Sequence, residues 1–256
     1  GEIFMISTYF AFYGTAIFAL PWQVSFALAI VLTALLGVVI ERAAYRPLRD
    51  APRISALISA IGVSFLMANL GLVIFGGRPK TFYRPPIFQT PIELGGIRVV
   101  ALFFVIPLLT AVLLVALNYI VYRTKTGLAM RAAQWDFDTA RLMGVDVDRA
   151  ISITFAIGSA LAAVGGIMWG LRFAEINPNM GLFPGLKCFI AAVFGGIGNI
   201  SGAVLGGFIL GFGEIMLVAF LPGLAGYRDA FAFVVLILIL LVRPTGLLGD
   251  KQRVKV

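Results

Sequence analysis

Segment 123–149, RTKTGLAMRAAQWDFDTARLMGVDVDR, collects charges and helix signals in a chain that is otherwise poor in charge. Asp136 or Asp138 is placed to cap a short helix over TARLM, because a carboxylate at a helix start accepts from the unpaired N–H groups there. Gly144 follows where a left-handed stop is needed, and Asp148 is placed to cap the apolar helix that comes next. Ala140, Leu142 and Met143 give the short helix a small apolar face beside Arg141, suited to a groove in a soluble partner. The bland alternative is an interfacial helix lying on lipid headgroups.

Other chemistry lies inside the apolar runs. Glu214 is the only acid well inside one, where an ionised group costs several kcal/mol unless it is paired or faces water. The sequence identifies no opposing cation, so Glu214 is either internally bonded or part of a polar path. Gly198, Gly202 and Gly206 recur every fourth residue, a spacing that lets membrane helices approach closely. The competing reading is that Gly195, Gly196 and Gly198 break a helix and leave backbone groups facing a solute. Asn69, with Ser55, Ser59 and Ser64 on the same run, lines a polar pathway or bonds neighbouring helices. Asn199 to Ser201 spells a glycosylation sequon, taken as a chance match between apolar runs.

Cys188 is the single cysteine and histidine is absent, which leaves no metal cluster and no triad base. No GxxxxGK[ST] loop occurs, so catalytic residues, metal and nucleotide cofactor are all expected to be lacking. Energy for any work must come from elsewhere.

The elements that position these residues are membrane helices. With 61% hydrophobic and 12% charged residues and a mean hydropathy of +1.02, the chain has half the charge of a soluble domain. Bilayer-length runs of about 17–25 residues fall at 3–20, 22–40, 54–75, 99–122, 150–171 and 202–220, with shorter runs at 186–197 and 230–242. The expected fold is therefore all-α, a polytopic bundle of about eight membrane segments forming one domain over 1–256.

The net charge of +8 sits in the short connections, as expected for cations that orient helices rather than bind nucleic acid. If 186–200 crosses fully, 13 of the 20 Lys and Arg residues share one side and 7 the other. That side, taken as cytoplasmic, holds 41–53, 123–149 and the tail with Lys251, Arg253 and Lys255. The outer segment 76–98 carries Pro79, Pro85, Pro86 and Pro91, which rule out continuous helix and leave a docking surface or a connector. No signal peptide is visible.

ERAAYRPLRDAPRISALISAIGVSF, the 123–170 stretch, EINPNMGLFPGLKCFIAAVFGGIGNISGAVLGGFILGFGE and LLVRPTGLLG together resemble the permease subunits of bacterial ABC importers for branched-chain amino acids, LivH type. The resemblance covers nearly the whole chain. It implies a multi-pass protein of the bacterial cytoplasmic (inner) membrane, paired with a LivM-type second permease, two cytosolic ABC ATPases that hold ATP and Mg, and a periplasmic substrate-binding protein. It also implies that 127–148 is the ATPase-coupling segment, with Gly127, Arg131, Asp138, Ala140, Gly144 and Asp146 as its residues. A further membrane segment is implied upstream, with Gly1 and Glu2 matching the end of an NFAHGE-like stretch. The closest rival is the urea or short-chain amide branch of the same family. A secondary transporter or channel is more distant, since Glu214 alone would have to serve as an ion relay. A membrane enzyme lacks its catalytic constellation.

Overall fold

The computed structural model describes residues 1–49, 51–94, 97–243 and 245–249. The expected tail cations Lys251, Arg253 and Lys255 lie outside them. Contacts gather into two units, Gly1–Gly181 and Leu182–Val256.

In the first unit the order is α1 (Glu2–Ala16), α2 (Trp22–Ile40), a π turn (Glu41–Tyr45), a 3-10 turn (Arg46–Leu48), α3 (Arg53–Phe75), α4 (Leu102–Arg123), α5 (Lys125–Trp135), α6 (Phe137–Leu142) and α7 (Val147–Phe173). Pro21 and Pro52 stand immediately before α2 and α3, where a fixed φ and a missing N–H cost a helix nothing. Helices α1, α2 and α7 pack on one another around Met5, Tyr9, Phe26, Ile167 and Leu171. Small residues set that spacing. A Cβ on Gly166 would collide with the Phe4 carbonyl, and one on Gly37 with the Ser159 hydroxyl. The buried hydroxyls of Ser25 and Thr33 donate to the Ala11 and Ala29 carbonyls at 2.9 and 2.6 Å, so neither is left unsatisfied. By contrast, α3 and α4 turn nearly all of their apolar surface outward.

Helix α7 has 27 residues, about 40 Å at 1.5 Å per residue, which exceeds a hydrocarbon core of about 30 Å. Its C-terminal end meets the proline-rich segment. There β1 (Lys80–Thr81) pairs antiparallel with β4 (Glu175–Ile176), while β2 (Pro91–Leu94) forms a hairpin with β3 (Ile97–Val100). These small sheets add to the all-helical expectation, and continuous helix is absent from 76–98 as the prolines require. At the other end of α7 lie the turns that follow α2 and the segment that joins α4 to α7.

The second unit contains α8 (Leu182–Gly195), α9 (Ile200–Phe220), a 3-10 turn (Pro222–Tyr227) and α10 (Arg228–Val242) around Ile190, Leu210 and Ala232. The eight expected segments correspond to α1–α4 and α7–α10. Among the described residues, six helical stretches are long and apolar enough to cross a membrane, and α8 is a shorter apolar helix of 14 residues. Helix α8 starts four residues before the apolar run does, because Phe183 and Pro184 fit a first turn. Lys187 lies in the second turn of this helix.

Candidate functional site

The loop end of the first unit is built by caps. Thr124 Oγ1 accepts from Gly127 N at 3.1 Å and starts α5. A Cβ on Gly127 would strike the Ile120 and Val121 carbonyls, so the tight entry from α4 demands glycine. Asp136 is the cap of α6, its Oδ1 accepting from Asp138 N and Thr139 N at 3.0 and 3.1 Å. Asp138 sits exposed in the first turn, where a negative charge favours the helix dipole.

The helix ends in a paired stop. Gly144 has φ +81°, its N–H bonds the Arg141 carbonyl and Val145 N–H reaches the Ala140 carbonyl, each at 3.0 Å. Asp146, not Asp148, caps α7: its Oδ1 accepts from Arg149 N at 3.0 Å. The expectation for Asp148 fails because the cap lies outside the first helical residue, and α7 begins at Val147.

Ala140 also departs from expectation. It is only 5% exposed and packs with Ala133 and Val147, so it faces inward rather than toward a groove. The outward apolar groups are Leu142 and Met143, 87% and 80% exposed, together with Trp135 at 87%. Arg131 lies on α5 with its guanidinium 5.3 Å from the Tyr122 ring centroid, a cation–π contact that ties α5 back to α4.

Charges bind this segment to the turns after α2. Asp148, in the first turn of α7, pairs with Arg46 at 2.8 Å, with Arg49, and with Arg141 of α6 at 3.8 Å. Arg49 also pairs with Glu41, which is fully buried at the start of the π turn and accepts from Ser152 Oγ at 2.7 Å. A buried carboxylate is tolerable only with such partners. The network joins α6, the start of α7 and the end of α2, and places segments 41–49 and 123–149 at one end of the helices.

In the second unit the glycine stripe is a packing contact. A Cβ on Gly195 would overlap the Gly202 carbonyl, one on Gly202 the Gly195 carbonyl, and one on Gly206 the Ala191 carbonyl. Gly196 and Gly198, at φ +111° and +94°, form the turn between α8 and α9. The backbone here is not left free: Leu247 and Leu248 N–H donate to the Phe194 and Gly195 carbonyls, each at 2.9 Å. Asn199 caps α9 through Gly202 N at 2.9 Å and donates to the Leu248 carbonyl at 3.0 Å.

Glu214 has the cations that the sequence did not reveal. Lys187 Nζ lies 2.9 Å and Arg228 Nε 3.3 Å from its carboxylate, and Lys187 also meets Asp229 at 2.8 Å. Two cations and two acids from three helices make a neutral quartet. Asn69, in the first unit, is exposed and donates to the Phe65 carbonyl of its own helix at 2.7 Å.

Sequence reasoning missed Glu41, Arg49, Ser152, Lys187, Arg228 and Asp229 as members of these networks. The available signal was charge at the ends of apolar runs: Glu41 directly after one, Arg228–Asp229 directly before another.

Residues 1–240 match the family model described as branched-chain amino acid transport system, permease component. The chain is 38% identical to the high-affinity branched-chain amino acid transport system permease protein LivH of Escherichia coli, over all of this chain and 86% of that protein. It is 37% identical to BraD of Pseudomonas aeruginosa, a permease protein of the same description, with the same coverage. It is 28% identical to the autoinducer 2 import system permease protein LsrC of Yersinia pestis, over 72% of this chain and 53% of that one. No solved structure matches. The chain belongs to the permease component family of branched-chain amino acid transport systems, and is a multi-pass protein of the bacterial inner membrane with a transport role.

Proposed function

We propose that this chain is one of two permease subunits in an ABC importer for branched-chain amino acids. The partner permease is of LivM type, two cytosolic ATPases hold ATP and Mg, and a periplasmic binding protein delivers leucine, isoleucine or valine. The substrate follows that named for the LivH and BraD proteins, which are similar over the whole of this chain. The observation that carries the coupling role is α6, a short helix fixed at both ends that presents Leu142 and Met143 to water. Exposed apolar side chains on a hydrated, rigid helix are costly without a partner, and a groove of an ATPase supplies one.

A push on α6 has two rigid routes into the membrane. One runs through the Gly144 stop and the Asp146 cap directly into α7. The other passes through Arg141 to Asp148, then through Arg46, Arg49 and Glu41 to the end of α2. Because α2 and α7 pack on each other, both routes end in one helix pair. In this reading Gly195, Gly202, Gly206 and Glu214 hold the second unit together and do not line the solute path.

The test is uptake into proteoliposomes containing this chain, the second permease, both ATPases and the binding protein, with leucine and urea compared. Leucine accumulation that requires ATP is expected. Accumulation of urea without leucine would move the assignment to the amide branch, and leucine flux without ATPases would make the chain a secondary transporter or channel.

A further inference from the structure

A cavity of about 590 Å³ opens at the loop end of the first unit, between the end of α2 and the start of α7. Its size falls within the range of about 300–1,000 Å³ typical of small-ligand sites. Its lining combines Arg42, Arg46, Arg149, Asp146, Asp148 and Ser152 with the apolar Val38, Ile153 and Ala156. Of the two acids in this lining, Asp148 is the one paired with cations, while Asp146 accepts a backbone N–H and keeps its charge. The Ser152 hydroxyl donates to Glu41. Arg46 is occupied by Asp148. Among the described residues, neither Arg42 nor Arg149 has an acid within ion-pair distance.

Among the described residues, Arg42 and Arg149 thus line this opening without an ion-pair partner, beside apolar side chains. Their depth is informative. Arg42 lies two residues past the end of α2 and Arg149 in the first turn of α7, whereas Val38, Ile153 and Ala156 lie about one turn or more farther into the apolar helices. A ligand that matches this cavity carries a phosphate at one end and hydrocarbon at the other, with the junction at the bilayer surface. We propose that the cavity binds one anionic phospholipid, its phosphate held by Arg42 and Arg149 and the upper part of an acyl chain resting on Val38, Ile153 and Ala156. A guanidinium offers a planar fork of donors that fits phosphate oxygens, and basic pockets between membrane helices are recurrent headgroup sites. The site borders the Asp148 network, so an occupant steadies the α2 and α7 ends through which the loop acts. The assignment stands on the cavity alone and does not depend on what the permease carries.

The experiment uses the full chain, purified with the subunits that accompany it and placed in nanodiscs of phosphatidylcholine. These contain a trace of phosphatidylglycerol bearing a diazirine near the top of one acyl chain. Irradiation and peptide mapping should place label on peptides containing Val38 and Ile153. Unlabelled phosphatidylglycerol should displace it, while added phosphatidylcholine and millimolar inorganic phosphate should not. At about fivefold per arginine for a basic residue at a membrane surface, Arg42→Gln with Arg149→Gln should weaken labelling about twenty-five-fold, and the paired lysine variant should retain most of it. Wild-type and lysine-variant abundance guards against misfolding. Displacement by free phosphate, equal competition by phosphatidylcholine, undiminished label in the glutamine pair, or no label at either peptide because another subunit covers the cavity would each overturn the proposal.

Discussion

The two units use charge in opposite ways. At the loop end of the first, Asp148 is shared among Arg46, Arg49 and Arg141, which come from two different segments, and it remains partly exposed. In the second, Lys187, Glu214, Arg228 and Asp229 cancel one another between three helices, with the Glu214 side chain only 10% exposed. The first arrangement connects elements that meet water and can be loaded from outside. The second closes a compact helical unit. Backbone packing does not follow that division: Gly37 and Gly166 in the first unit, like Gly195, Gly202 and Gly206 in the second, each bring neighbouring helices into close approach. A charge network that joins separate segments is suited to carrying displacement, and one that neutralises itself inside a packed unit is suited to stability.

Breaking the second network should therefore cost the chain its stability, and breaking the first should cost it transport. Glu214→Gln leaves Lys187 with Asp229 alone and strips Arg228 of its partner. Glu214 is nearly buried but its cations are a third to a half exposed, so the cost should fall below the roughly 3–5 kcal/mol of a fully buried pair and still lower the amount of chain in the membrane on quantitative blotting. Adding Arg228→Gln removes one charge of each sign and should restore much of that amount. Recovery of nothing would show that Glu214 acts through something other than the quartet.

Gly202→Leu should follow. Overpacking costs about 1–3 kcal/mol in ordinary cores, and here the new side chain meets the Gly195 backbone rather than a movable side chain. Lower membrane abundance and earlier thermal aggregation are expected, whereas Gly211→Leu, where a Cβ meets nothing within 4 Å, should behave as wild type. Equal loss in both would remove the packing assignment. Asp148→Asn should cost the least stability, about 1 kcal/mol or less, since partly exposed pairs contribute little. Its uptake should nonetheless drop well below its abundance, because the route from α6 to the end of α2 passes through that carboxylate. Uptake that simply tracks abundance would make the first network structural as well.

Much of this was legible from residue order. Six apolar runs of bilayer length and two shorter ones marked eight helices, prolines at 79, 85, 86 and 91 kept 76–98 from forming continuous helix, and Asp136, one of two aspartates the sequence offered as cap, bounded the loop helix with Gly144. The cap on α7 was misplaced by two residues because two aspartates stand at alternate positions and only the backbone path decides between them. Ala140 could not be oriented from sequence, since a six-residue helix has too few turns for a periodic face to show. The partners of Glu214 were hidden for a different reason: Lys187 is 27 residues away on α8, and nothing in local spacing reveals which helices pack together. Glycine spacing indicated close approach, but only the Gly195–Gly202 geometry distinguished packing from an open backbone.

The most direct test concerns the outward residues of α6. Leu142→Asp with Met143→Asp alters two side chains that are 87% and 80% exposed and belong to neither charge network, so stability should change by less than about 0.5 kcal/mol. ATP-driven leucine uptake, measured beside membrane abundance in the reconstituted importer, should fall to background while the amount of chain stays at the wild-type level. Wild-type uptake in this variant would contradict the account, because the loop would then be a connector and the drive would enter the membrane elsewhere.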